Sequence, residues 1–200
     1  MNANSNIEEG RFGGWISTYS GGMIFPLDPR PEEIILEDIC HALSLVTRWA
    51  GHCKRHYSVG QHSLLVARQI QKNQEYEYDE LYQLYGLMHD FSEYALCDIP
   101  RPMKPFFIDY IKHESRLMEV IYESFGIPLP TESHKLVVHE ADEVLLHSEA
   151  FALCNNYSWA DKKLKDKSIK FEVLKQGYVK FSLEEDFRYL VKKCKEKGLF

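Results

Sequence analysis

The stretch IDYIKHESRLMEVIYESFGI, residues 108–127, decides the fold class. Its apolar positions recur at helical spacing, and it stops at Gly126, a residue suited to a left-handed C-cap. The following stretch, TESHKLVVHEADEVLLHSEAFAL (131–153), reads as another long helix starting at Thr131 or Ser133. Upstream, IPRPMKP (99–105) holds three prolines within seven residues and must be irregular. Residues 79–95 before it read as a buried helix. SVGQHSLLVARQIQKN (58–73) has the same periodicity with Ser58 as N-cap, and IILEDICHALSLVTRW (34–49) repeats it at Ile34, Ile35, Ile39, Leu43 and Val46. Pro31 fits a first helical turn.

Outside this helical block the signals differ. WISTYS (15–20) and MIFPL (23–27) flank Gly21-Gly22, a short hairpin signal. Residues 1–14 read as a flexible leader. IKFEVLKQGYVKFS (169–182) suits a short hairpin or an extended loop, and LEEDFRYLVKKCKEKG (183–198) a closing helix. The expectation is an all-α chain with a short N-terminal β-hairpin, residues 15–200 forming one domain.

The 200 residues are 44% hydrophobic, enough for a real core. A net charge of −6 argues against stable binding to a nucleic-acid backbone, which wants a basic face. The five cysteines form no CxxC pair, which suits reduced thiols in a cytoplasmic protein. No apolar run reaches membrane-spanning length, and the polar N-terminus lacks the apolar core of a secretory signal.

The chemistry-bearing residues lie within the helical block. Leu87-Met88-His89-Asp90 ends an apolar run in two polar side chains, where an unpaired charge is expensive. Taken alone, a His-Asp pair more often caps a helix than binds a metal. Here His62 lies on the preceding helix and Asp142 on a later one. Two imidazoles and two carboxylates from separate helices are how helical bundles build metal sites. Such mixed ligation suits a divalent ion such as Mn, Fe, Co, Ni or Zn. Glu93, four residues past His89, is placed on the same helix face and can take a proton from a water that a bound cation acidifies. Asp98 can orient that water. Arg48 and Lys104 are cations suited to phosphate, and Trp49 to a wall of a base pocket. Each also has an ordinary reading: surface charge, turn residue or core tryptophan.

These residues resemble the HD-domain phosphohydrolase superfamily, whose signature is H…HD…D. EDICHALSLVTRWAGHCKRHYSVGQHS (37–63) and LMHDFSEYALCDIPRPMK (87–104) are similar to the subgroup of bacterial 5′-deoxynucleotidases and small phage or bacterial deoxynucleoside triphosphohydrolases, including dATP-preferring ones. The resemblance runs from about Trp15 to about Leu153. It implies an HD-domain helical bundle, commonly a homo-oligomer, and metal ligation by His62, His89, Asp90 and Asp142, with Mg joining the candidate ions. It further implies catalytic roles for Glu93 and Asp98 and phosphate contacts from Arg48 and Lys104. Relatives often carry a lysine three residues before the last Asp; His139 stands there, facing the same side as Asp142. The implied activity is hydrolysis of phosphate from a deoxynucleotide, a small-molecule nucleotide substrate, by a dNMP 5′-nucleotidase or a dNTP triphosphohydrolase. A non-catalytic nucleotide or metal sensor, and a phosphodiesterase for cyclic or short oligonucleotides, are the alternatives.

Overall fold

The computed structural model describes residues 10–72 and 80–200. It is mostly helical, with one two-stranded antiparallel sheet near the N-terminus, as expected. The hairpin pairs β1 (Ile16–Ser17) with β2 (Met23–Ile24), Ile16 opposite Ile24. Gly21, with φ of 88°, makes the turn that only glycine adopts readily. Residues 1–9 of the expected leader lie outside the described residues. Within the rest of it, Arg11 is anchored: its guanidinium is 2.7 Å from both Asp28 and Glu33 and lies over the Phe25 ring.

Pro31–Glu33 forms a separate 3-10 turn, and helix α1 follows as Leu36–Leu45. Helix α2 spans Val59–Lys72, and the Ser58 hydroxyl accepts from the Gln61 amide at 3.2 Å, the cap the sequence predicts. Helix α3 (Glu80–Met88) is shorter than expected. Residues 89–92 turn, and a one-turn helix α4 (Glu93–Leu96) follows. The expected helix over 79–95 is therefore two helices. His89 Nδ1 donates back to the Gly86 carbonyl at 2.8 Å, occupying an acceptor of the last turn of α3.

Helix α5 (Ile108–Phe125) ends at Gly126 with φ of 64°, and Ile127 N–H closes onto the Tyr122 carbonyl at 2.9 Å. Helix α6 (Glu132–Leu153) starts at Thr131, whose hydroxyl accepts from the His134 amide. A short α7 (Lys162–Lys167) carries no sequence expectation. Residues 169–175 form neither helix nor strand, and α8 (Gln176–Glu196) takes in the rest of the expected hairpin or loop, starting seven residues before Leu183, where the sequence places the closing helix.

Helix α2 sits at the centre, packed against α1, α3, α6 and α8. Its buried Val59, Leu64, Val66 and Ile70 join Ile39, Leu43, Leu84, Leu87, Leu145 and Leu183 in one core. Among the described residues no helix is long and apolar enough to cross a membrane.

Candidate metal centre and pocket

His62 lies on the buried face of α2, at 0% exposure. Its Nδ1 is 2.6 Å from Glu149 Oε1, leaving Nε2 as the free ring nitrogen. His89 is arranged likewise, with Nδ1 tied to the Gly86 carbonyl. Both Nε2 atoms are buried and have no hydrogen-bond partner among the described residues. The ligand atoms of His62, His89 and Asp142 lie within 4.8 Å of one another. Asp142 Oδ1 is 3.0 Å from His62 Nε2, without the alignment of a hydrogen bond. Asp90 Oδ2 is 3.2 Å from His89 Nε2 and 4.0 Å from His62 Nε2. The structure thus groups three of the four predicted ligands, His62, His89 and Asp142, where α2, the end of α3 and α6 meet, and sets Asp90 beside the two imidazoles.

An orphaned buried polar atom costs about 1–3 kcal/mol, and two facing one point ask for a shared partner. Imidazole nitrogens with carboxylates alongside are a donor set for a divalent transition metal. The outer nitrogen of each imidazole is fixed by an oxygen, the arrangement that orients metal-ligating histidines. The residues present fit a cation.

Charge sets the protonation of this cluster. Burial and Arg48 lower the His62 pKa, but the Glu149 and Asp142 carboxylates outweigh them and raise it to about 9. Burial opposes ionisation of Asp90, yet His89, His62 and Arg48 hold its carboxyl far below the usual range. Asp142 follows the same pattern, with burial overcome mainly by His62 and Arg48.

Glu93 opens α4 and is 2% exposed. Burial first, then Asp90 and Asp98, push its pKa well above the carboxylate range, and its Oε2 has no hydrogen-bond partner among the described residues. It reaches the site because the chain turns at residues 89–92, not because it shares a helix face with His89, as the sequence predicts. Asp98 lies in the irregular segment after α4, and burial raises its pKa too.

A pocket of about 470 Å³ opens onto the cluster, lined by Arg48, Trp49, Asp90, Glu93, Asp98, Arg101, Lys104, Asp142 and Trp159, among others. Arg48 is 3.4 Å from Asp90 and 3.3 Å from Glu149. Trp49 and Ala50 both have positive φ (61° and 48°), a strained bend that turns the indole into the pocket wall. The Trp49 indole N–H donates to Glu149 at 3.2 Å, and its ring centroid is 6.0 Å from that of Trp159. Lys104 stands 3.5 Å from Glu93 and 2.9 Å from Glu114. A second cleft of about 450 Å³ shares Asp90 and Lys104 on the far side of His89. His139 is exposed and does not line the pocket, although its ring lies beside Asp142 and Glu143.

Three residues here escape the sequence reading. Glu149, fully buried, gathers His62, Arg48, Trp49 and the Tyr57 hydroxyl (2.8 Å) around one carboxylate. It lies seven residues past Asp142 on α6, two turns along the same face, which is the signal that would have found it. Arg101 reaches from the proline-rich segment to Asp142 at 2.9 Å and also contacts Glu143. Neither Arg101 nor Trp159 sits in a periodic stretch, so no pattern marks them.

Over 135 residues the chain is 34% identical to YfdR, an uncharacterized protein of Escherichia coli K12, covering 68% of this chain and 70% of that protein. The chain belongs to the YfdR family. An uncharacterized protein of Rhodobacter capsulatus shares 36% identity over 141 residues, covering 68% of this chain and 71% of the relative. No protein-family model matches the chain. Kinship with YfdR carries common descent and no stated activity, so the chemistry rests on the residues.

Proposed function

We propose that this protein is a metal-dependent phosphohydrolase of the HD-domain type that removes phosphate from a deoxynucleotide. The observation that carries this reading is the pair of buried, unpartnered imidazole Nε2 atoms beside Asp90 and Asp142, two carboxylates that line a pocket also lined by Arg48, Arg101 and Lys104. His62, His89, Asp90 and Asp142 would hold the ion. Such an ion supplies Lewis acidity, which makes a water more acidic and polarises a phosphoryl oxygen.

The chain's own groups supply the rest. Glu93, with its raised pKa, holds or accepts a proton beside the attacking water, and Asp98 orients that water. Arg48 and Arg101 pair with the proposed ligand carboxylates and line the pocket together with Lys104, and guanidinium forks suit phosphate oxygens. Trp49 and Trp159 offer aromatic faces for a base. Arg101 lines the pocket and His139 does not, which makes Arg101 the stronger candidate for an outer phosphate.

The test is chromatographic product analysis after incubation with a panel of deoxynucleoside mono- and triphosphates and Mn²⁺, Co²⁺ or Mg²⁺. Release of phosphate or triphosphate from a deoxynucleotide is expected. Binding without turnover on every substrate at full metal loading would instead make the protein a sensor.

A further inference from the structure

The segment joining Glu93 to Asp98 holds a strained residue with no side-chain reason for its strain. Cys97 has φ of 65° and ψ of 160°, a region that glycine alone occupies freely. Its side chain is exposed, so packing of the thiol does not impose that backbone. What restrains it is hydrogen bonding on both sides. The Cys97 N–H donates to the Glu93 carbonyl at 2.9 Å, closing the turn that carries Glu93. The Cys97 carbonyl accepts from the Tyr110 hydroxyl on α5 at 2.7 Å. The next residue is Asp98, which lines the pocket together with Glu93.

We infer that Tyr110 is a positioning residue: its hydroxyl clamps the Cys97 carbonyl, holds the strained bend, and so keeps Asp98 set against Glu93. This rests on the phosphohydrolase reading above. Tyr110 does not line the pocket, so its effect on turnover passes through Cys97 and Asp98. Its ring also faces the Lys104 ammonium, 5.9 Å from the centroid, a contact that phenylalanine preserves. Tyr110→Phe therefore removes the clamp together with the hydroxyl's contact to Glu114, the carboxylate that pairs with Lys104, and the rescue by glycine at position 97 separates the two. Without the clamp, strain drives residue 97 toward an ordinary conformation, and Asp98 swings with it. Glycine at position 97 has no such drive, because it adopts the observed angles freely.

The experiment compares full-length wild type, Tyr110→Phe, Cys97→Gly and the double variant, each loaded with Mn²⁺ and assayed on the nucleotide the wild type turns over. Tyr110→Phe should lose kcat by roughly ten- to hundredfold, the scale of a slightly displaced catalytic group, with KM and bound Mn²⁺ unchanged. Cys97→Gly should raise the Tm, since it relieves the bend. The double variant should recover much of the lost kcat, a rescue that a merely structural tyrosine would not allow. Alkylation of Cys97 by iodoacetamide, followed by mass spectrometry, adds an arm that needs no turnover, and its rate should rise several-fold in Tyr110→Phe. A kcat within twofold of wild type, a double variant no faster than Tyr110→Phe, or an unchanged alkylation rate overturns the clamp. A wild type that turns over no nucleotide overturns the phosphohydrolase reading instead, and the alkylation rate still decides the clamp.

Discussion

At the scale of single residues, the proposed ligands and the proposed acid–base group make different demands. Asp90 is half-buried beside His89, His62 and Arg48, so its removal leaves three cationic or metal-seeking groups facing each other. Asp90→Ala should abolish metal uptake and hydrolysis together, read by metal analysis of the purified variant and by product formation. Glu93 touches no imidazole, and its contacts run to Lys104. Glu93→Ala should keep its metal and lose turnover by roughly 10²–10⁴-fold, the usual share of a general acid or base. Full activity in that variant would remove Glu93 from the mechanism. Glu149→Gln tests the support beneath His62. The amide keeps the shape but gives up the charge that gathers His62, Arg48 and Tyr57. Metal affinity should fall about 10- to 100-fold, as for other outer partners of ligating histidines, in a direct metal titration.

At the scale of elements, the site depends on how closely α2 meets its neighbours two residues before His62. A methyl group on Gly60 would come within 3.0 Å of the Leu43 carbonyl oxygen and 2.6 Å of a Leu183 methyl. The leucine tip can move, but the α1 backbone cannot without shifting the helix. Gly60→Ala would gain up to about 1 kcal/mol of helix propensity. Overpacking should outweigh it, costing about 1–3 kcal/mol, so calorimetry should show a lower Tm. The same close packing explains what was legible in the sequence. Long amphipathic helices such as α5 and α6, with Gly126 and Thr131 at their ends, announce themselves through periodicity and caps. The grouping of His62, His89 and Asp142 was legible because ligand-type residues recur on separate elements of the helical block, a combination less ordinary than any one of them alone. The break after Met88 was not legible, since the apolar run continues through Phe91 and the turn depends on His89 bonding back to Gly86. Arg101 was hidden for a related reason: irregular backbone positions side chains without any period to read.

At the scale of the whole molecule, the cluster couples folding to protonation and, on the proposed reading, to metal loading. In the metal-free protein His62 gains its proton from carboxylate neighbours, with a folded pKa of about 9 against 6.5 in the unfolded chain. That stabilisation is fully present below pH 6.5 and is lost as the pH rises through about 9. Glu93 acts in the same direction, because a carboxyl kept neutral by burial weakens the fold progressively above its ordinary value of 4.5. Asp90 and Asp142, held low, contribute above their ordinary value of 3.8 and lose that contribution on acidification. Metal-stripped protein should therefore be most stable in mildly acidic buffer, and its Tm should fall as the pH is raised from 6 toward about 9. Ligation through His62 Nε2 requires the neutral ring, so loading displaces a proton and apparent affinity should rise about tenfold per pH unit over this range. Bound metal stabilises in proportion to the logarithm of its concentration over Kd. The Tm increment from added Mn²⁺ should consequently widen between about pH 6 and pH 8.5, measured by scanning calorimetry against a chelator-treated control. An increment that stays constant across that range would mean that His62 carries no displaceable proton and that the ion, if one binds, sits elsewhere.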